Sequence, residues 1–496
     1  MKSFIKLLPI VVMAGMVTTG IDILISASIG FFFAMILCMI FEKMKINDVI
    51  MEGYQSAREG VQMAFILMMA YALAEIFMST GVGAAAIELF INIGVTGRSV
   101  ATIAFLTTCV LSVSTGTSWG TFAACIPIFI WLCDVVGGHP GMVMAACIGG
   151  SAFGDNIGLI SDTTILSSAL QNVKVVDRVR TQAPWSILCL VISAILFYIV
   201  SISMGLPTTV GDPSQILASM SPETIAALEA ERPAVLTLLD QVKTHMPIYL
   251  LIPVVVVITM AILRFDTLIC LASGIVLSVI FGAIAGTVTS AKVAMDMVYT
   301  GFSDAGSWCV IMLFWAMGFG GIMRRMNAFQ PISIFFVRIS RRVRHLITCN
   351  GLLCLFINGT VNEDLSQMAC AGPVIRGIVN DNVEGSEENL YRLRIRNALF
   401  SDAIGVHTSS LIPWHVGALY YMGLTIAVYP LYEFKIADLY YNYMGLISVV
   451  SIYLLTFTGW DRFVPWFSLP TEPDVRLKKD RVVTGSLAGV AEDTLQ

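Results

Sequence analysis

The sequence predicts an all-α polytopic membrane protein made of two inverted five-span repeats, each with a re-entrant hairpin and a broken transmembrane helix. Three observations carry that expectation. Only 13% of the 496 residues are charged while 57% are hydrophobic, and the mean hydropathy is +0.82; a soluble chain carries about 25% charged residues. The apolar residues gather in continuous runs of about 16–22, close to the ~20 that cross a hydrocarbon layer about 30 Å thick as a helix. Finally, short motifs recur in order after residue 245, each 243–248 residues beyond its mate.

Continuous apolar runs exclude an outer-membrane barrel, whose strands alternate. Ten crossings are expected. The first repeat, 1–204, holds spans at 4–20, 22–41, 60–79, 143–170 and 184–204. The second, 247–459, holds spans at 247–263, 266–286, 307–323, 397–424 and 440–459. Spans 143–170 and 397–424 are interrupted by glycine, polar residues or proline and read as broken helices. The stretches 98–136 and 344–378 are too long for one helix and polar in the middle. They read as hairpins that enter and leave on one side, which is tolerated where protein or a water-filled cavity surrounds the backbone. Residues 205–246 form an external connector, with a helix start at Ser221-Pro222-Glu223. Residues 460–496 read as a cytoplasmic tail.

Charge placement orients the chain. All but five of the 29 Lys and Arg fall on one side in this layout, among them Lys174, Arg178, Arg180, Arg338, Arg341, Arg342, Arg392, Arg394 and Arg396. The positive-inside rule then puts both termini in the cytoplasm of a multi-pass protein of the cell membrane. The N-terminus does not read as a cleavable signal, because the next apolar run follows at once. The 11 Cys lie scattered in apolar runs without a Cys-x-x-Cys pair and read as small hydrophobes.

The repeat rests on four matches: Asp22 with Asp266, Gly53-Tyr54 with Gly301-Phe302, Gly116-Thr117 with Gly359-Thr360, and Asp155 with Asp402. Five crossings per half is an odd number, so the halves are inverted. In such transporters the site lies near the midplane, at broken helices and loop tips.

Four polar segments supply the candidate ion or substrate residues. The first hairpin tip offers the hydroxyls of Ser114, Thr115, Thr117 and Ser118, with Gly116 allowing a tight reversal. The first broken span offers Asp155, Asn156, Asp162, Thr163 and Thr164. An intramembrane carboxylate costs about 2.5–3.5 kcal/mol at the helix centre, so both acids should face a cavity. The second hairpin offers Asn358, Thr360, Asn362, Glu363 and Asp364, whose two acids suit proton coupling. The second broken span offers Asp402, His407, Thr408, Ser409 and Ser410. His407 is a candidate proton carrier, while Trp414 and His415 read as packing residues. Asp155, Asp162, Thr117 and Ser118 are the Na⁺ candidates, since oxygen ligands suit a hard cation.

The runs Gly116-Thr117-Ser118-Trp119-Gly120-Thr121, Gly154-Asp155 with Ser161-Asp162-Thr163-Thr164, and Thr408-Ser409-Ser410-Leu411-Ile412-Pro413-Trp414 resemble the NhaC-type Na⁺/H⁺ antiporter family over roughly residues 1–460, as a divergent member. The family pattern has Gly-Asp-Gln-Tyr where this chain has Asn362-Glu363-Asp364-Leu365. It has Pro and Asn where this chain has Ser410 and His415. The resemblance implies a secondary active transporter that exchanges Na⁺ for H⁺ by alternating access. The altered motifs motivate the alternative, Na⁺- or H⁺-coupled transport of a small carboxylate or amino acid. The expected partners are therefore Na⁺, H⁺, the lipid bilayer and, in the alternative, an organic anion or amino acid, with a homodimer left open. No nucleic acid and no cofactor are expected. With no metal cluster, triad order or phosphate loop in the sequence, neither is an enzyme.

Overall fold

The computed structural model describes residues 5–19, 21–159, 161–209, 225, 229, 233–263, 265–307, 309–326 and 330–480. The chain is mostly helical. Up to residue 204 it forms α1 (Leu8–Thr18), α2 (Ile23–Glu42), α3 (Ile46–Glu59), α4 (Val61–Ser79), α5 (Val82–Asn92), α6 (Val100–Thr115), α7 (Ser118–Val135), α8 (Pro140–Ile157), α9 (Asp162–Leu170) and α10 (Val175–Ser203). The connector contributes α11 (Pro233–Lys243). Then follow α12 (Ile252–Ile262), α13 (Thr267–Ala285), α14 (Ala291–Ser307), α15 (Cys309–Arg325), α16 (Gln330–Ile339), α17 (Val343–Val361), α18 (Asp364–Asn382), α19 (Glu387–Thr408), α20 (Val416–Val428) and α21 (Tyr443–Thr458).

Among the described residues six helices have the length and apolarity to cross a membrane, or seven if α8 and α9, bent by 44°, count as one span. That is fewer than the ten expected crossings. The expected spans at 4–20, 247–263 and 440–459 fall on helices of 11, 11 and 16 residues, and that at 397–424 is divided between α19 and α20. Four further helices, α3, α5, α14 and α16, were not expected. In α3 and α14 polar residues such as Asp48, Glu52, Asp296 and Asp304 interrupt the apolar run that the reading relied on.

The order of elements before residue 204 recurs after 247. Asp22 and Asp266 cap α2 and α13 in the same way: each side chain accepts the N–H two residues on, from Leu24 or Leu268, at 2.8 Å. The hairpin turns match in backbone geometry. Gly116 (φ 71°, ψ 21°) and Asn362 (φ 61°, ψ 21°) both end the first leg in the left-handed region, and Thr117 and Glu363 follow extended. Gly and Asn are the residues that take that region at least cost. Both second legs contain a proline, Pro127 and Pro373. The left-handed turn residue of the second hairpin, Asn362, lies three residues after Gly359.

Two other boundaries move. The span expected at 184–204 begins at Val175, and Pro184 lies inside the helix. Proline removes one backbone hydrogen bond there, a loss that neighbouring groups can make good in a membrane helix. Arg178 and Gln182 thus belong to a helix rather than a loop, and both are fully buried. The span expected at 397–424 begins at Glu387, which brings Arg396 into α19, also buried.

Residues 460–480, within the expected tail, fold back onto the helices. Strand β2 (Val475–Leu477) pairs antiparallel with β1 (Val383–Gly385), between α18 and α19. Arg396 donates to the Phe467 carbonyl and, at 2.6 Å, to Thr456 Oγ1, and it lies over the Phe467 ring at 3.9 Å. Its partner Asp461 is 3.4 Å away. Removing one side of such a buried set leaves the other uncompensated. Arg396→Ala is accordingly expected to destabilise the protein by roughly 3–5 kcal/mol, read as a lowered melting temperature in detergent. Residues 481–496 and the expected helix start at Ser221-Pro222-Glu223 lie outside the described residues. Within the connector, α11 packs on α4 and α5, with Gln241 Nε2 donating to the Ser79 carbonyl at 2.9 Å. Ten of the 11 cysteines are buried.

Candidate functional site

Close helix packing builds the site. Gly150 and Gly154 on α8 press against the backbone of α6. A Cβ at Gly150 would meet Thr108 and the Phe105 carbonyl, and one at Gly154 would meet the backbone of Ser112 and Val113. Glycines at this spacing let two helices touch backbone to backbone. The contact carries the next residue, Asp155, to the turn between α6 and α7.

Asp155 is buried and fully engaged by neutral donors. Ser118 gives its hydroxyl to Oδ2 at 2.7 Å and its backbone N–H at 3.2 Å. Ser161 gives its hydroxyl to Oδ1 at 2.6 Å, and the Thr163 hydroxyl stands 3.5 Å from the same oxygen. The carboxylate thus joins the first hairpin to both sides of the break between α8 and α9. Among the described residues no basic side chain lies within ion-pair distance of it.

Asp402, matched with Asp155 by the sequence motifs, has the opposite surroundings. Its Oδ2 lies 2.5 Å from Arg178 Nη2, and both side chains are completely buried. The same Nη2 donates to the Asn156 carbonyl at 3.0 Å. Gln182 donates to Asn156 Oδ1 and, at 3.1 Å, to Ser186 Oγ. Thr164 Oγ1 sits among the carbonyls of Asp155 and Asn156 and Asp402 Oδ2, at 3.2, 3.4 and 3.3 Å. The two broken spans therefore meet through Thr164 and Arg178.

In the second hairpin the two expected acids part company. Glu363 caps α18, accepting the N–H groups of Leu365 and Ser366 at 3.0 and 2.6 Å. Asp364 faces inward, 3.4 Å from His415 Nε2. The Gly417 N–H donates to His415 Nδ1 at 3.0 Å, which leaves Nε2 as the donor toward Asn358 Oδ1 at 3.1 Å. Asn358 Nδ2 in turn bonds Thr408 Oγ1 at 2.9 Å and the Gly405 carbonyl at 3.2 Å. Asp364 lies near enough to Glu363, Asp155 and Asp402 to feel their charges, as Asp155 does that of Asp402.

The structure thus brings together Ser118, Asp155, Asn156, Thr163, Thr164, Asn358, Asp364, Asp402 and Thr408. Other expected ligands are engaged elsewhere. Ser114, Thr360 and Ser409 bond carbonyls of their own helices. Thr115 pairs with Thr121 at 2.8 Å, and both, with Thr117, line a separate, mainly apolar cavity against α12 and α13. Ser410 accepts from Asn442. Asn362 and His407 are buried side chains without a hydrogen-bond partner among the described residues. Asp162 lies on the exposed face of α9, and Ser161 rather than Asp162 caps that helix. Asp162→Asn is therefore expected to keep transport within about twofold of wild type, the range of a surface substitution, measured as initial ion flux.

Sequence reasoning missed four participants. Ser161 was read only as flanking sequence. Arg178 and Gln182 were hidden by the assumption that Pro184 opens a span; their four-residue spacing with Ser186 was the available signal. His415 was assigned to packing.

The sequence pattern of the Na⁺/H⁺ antiporter family matches residues 3–202 and 186–460. Three relatives illustrate its range. A malate-2H⁺/Na⁺-lactate antiporter of Bacillus subtilis is 25% identical over 64% of this chain and 65% of its own length. An arginine/ornithine antiporter, ArcD, of Halobacterium salinarum is 21% identical over 73% of this chain and 72% of its own. The Na⁺/H⁺ antiporter NhaC of Alkalihalophilus pseudofirmus is 22% identical over 76% of this chain and 78% of its own. This chain thus spans just under two thirds of the first relative's length.

Proposed function

The chain belongs to the Na⁺/H⁺ antiporter family, and from that premise we propose that it exchanges Na⁺ for H⁺ across the membrane by alternating access, with Asp155 as the carboxylate that takes the two ions in turn. One observation carries the reading: Asp155 is a buried acid held by hydroxyls and one N–H, with no basic partner among the described residues. Hydroxyl and carboxylate oxygens suit a hard cation. When a proton replaces the cation, the same hydroxyls can turn to accept or donate. Because one carboxylate serves both ions, occupancy by one excludes the other, which is the condition for exchange.

Two inverted halves are part of this proposal. The matching caps at Asp22 and Asp266, the matching turns at Gly116 and Asn362, and the paired positions of Pro127 and Pro373 support it. The bias of basic residues supports cytoplasmic termini. The hairpins then supply the elements that close the site from opposite sides.

A second reading, coupled transport of a small carboxylate or amino acid, is favoured by Asn362, Gln367 and His407. These are buried amide and imidazole groups without hydrogen-bond partners among the described residues, and such groups recognise carboxylate and ammonium. Two of the relatives are named for solutes of these classes.

Thermal stability of the purified protein separates the readings. Na⁺ exchange predicts a Na⁺-dependent rise in melting temperature, without any organic solute, that Asp155→Asn removes. Stabilisation by an organic acid or amino acid, with no response to Na⁺ alone, would favour the second reading.

A further inference from the structure

Asp155 and Asp402 occupy corresponding positions in the two broken spans, yet only Asp402 has a guanidinium against it. Arg178 is completely buried, contacts Asp402 at 2.5 Å, and through the same nitrogen holds the carbonyl of Asn156, next to Asp155. It reaches this place from α10, outside both broken spans. Arginine stays protonated in proteins, so its charge is permanent. A buried ion pair is weak evidence for stability, because desolvation offsets the attraction. Its presence where two ion-binding elements meet calls for a role in charge.

We propose that Arg178 is a resident cation: a positioning residue that holds the Asp402 position permanently, so that Asp402 is withdrawn from ion exchange and the number of Na⁺ ions bound per transport cycle is fixed. This rests on the reading of Asp155 as the exchanging carboxylate. Na⁺ approaching Asp402 would have to displace a charged group already bonded on two sides, whereas at Asp155 it meets only hydroxyls and an N–H. The same guanidinium, through the Asn156 carbonyl, sets the distance between the two broken spans.

The test is the number of Na⁺ ions bound at saturation, measured by equilibrium binding of isotopic Na⁺ to the purified protein. It is measured for wild type, Arg178→Gln, Asp402→Asn and the double variant Arg178→Gln/Asp402→Asn. Wild type and double variant are expected to bind the same number, because neither has a free acid at position 402. Arg178→Gln leaves that acid free and is expected to bind one further Na⁺. Asp402→Asn leaves the guanidinium unpaired near Asp155 and is expected to raise half-saturation for Na⁺ by about tenfold or more. A lost structural contact would weaken binding without adding a site. Should Arg178→Gln not fold, the double variant still decides, since a changed number or lost binding there overturns the inference. An unchanged number in folded Arg178→Gln, with Na⁺ binding intact in wild type, overturns this inference alone. A wild type that binds no Na⁺ overturns the Asp155 reading and this inference with it.

Discussion

Asp155→Asn is expected to abolish proton-driven Na⁺ uptake, by about two orders of magnitude or more, while the protein still folds. Asparagine has nearly the shape of aspartate, and its carbonyl oxygen can still accept from Ser118 or Ser161. The hairpin and the broken span therefore stay tied together. What disappears is the charge that compensates Na⁺ inside the membrane. Loss of one partner of a buried pair costs roughly 3–5 kcal/mol, and each 1.4 kcal/mol is about tenfold. Uptake of isotopic Na⁺ into proteoliposomes with an outward proton gradient measures the effect. Uptake at the wild-type rate would remove Asp155 from the mechanism.

The second large effect is expected at Gly154. A Cβ there would coincide with the main chain of Ser112 and Val113. A flexible side chain could swing away, but a helix backbone cannot. Gly154→Val should therefore force α6 and α8 apart, pulling Ser118 off Asp155. Overpacking of this kind costs about 1–3 kcal/mol or more. Both the melting temperature and Na⁺ uptake are expected to fall. Gly377→Ala is the control. That glycine has no atom within 4 Å of an added Cβ and lies within α18, so it should leave both quantities unchanged. A Gly154→Val protein with wild-type stability and uptake would show that the close contact does not matter.

Much of this was legible in the sequence because membranes impose simple rules. Apolar runs gave α2, α4 and α13 nearly to the residue, and the glycine and polar interruption of 143–170 marked the α8–α9 break. Asp155 stood out because an acid in an apolar run is costly unless used. What hydropathy could not show is which way a side chain points along a helix. Asp155 and Asp162 looked like a pair, yet the bend turns one inward and leaves the other exposed. Glu363 and Asp364 looked like a proton-sharing pair, yet backbone N–H groups recruit the first as a cap. Arg178 escaped notice because a basic residue before a proline resembles a loop anchor, and only the fold shows the carboxylate 224 positions later that it meets. One broken span thus holds an acid without a basic partner among the described residues, and the other an acid paired with a guanidinium.

The central claim, Na⁺/H⁺ exchange, is tested most directly with wild-type protein in proteoliposomes holding a preset proton gradient. Na⁺, Li⁺, K⁺, malate, lactate, arginine and ornithine are added in turn while internal pH is followed. The account predicts that Na⁺ alone dissipates the gradient, with no organic solute present. Dissipation by an organic acid or amino acid, with none by Na⁺, would contradict it.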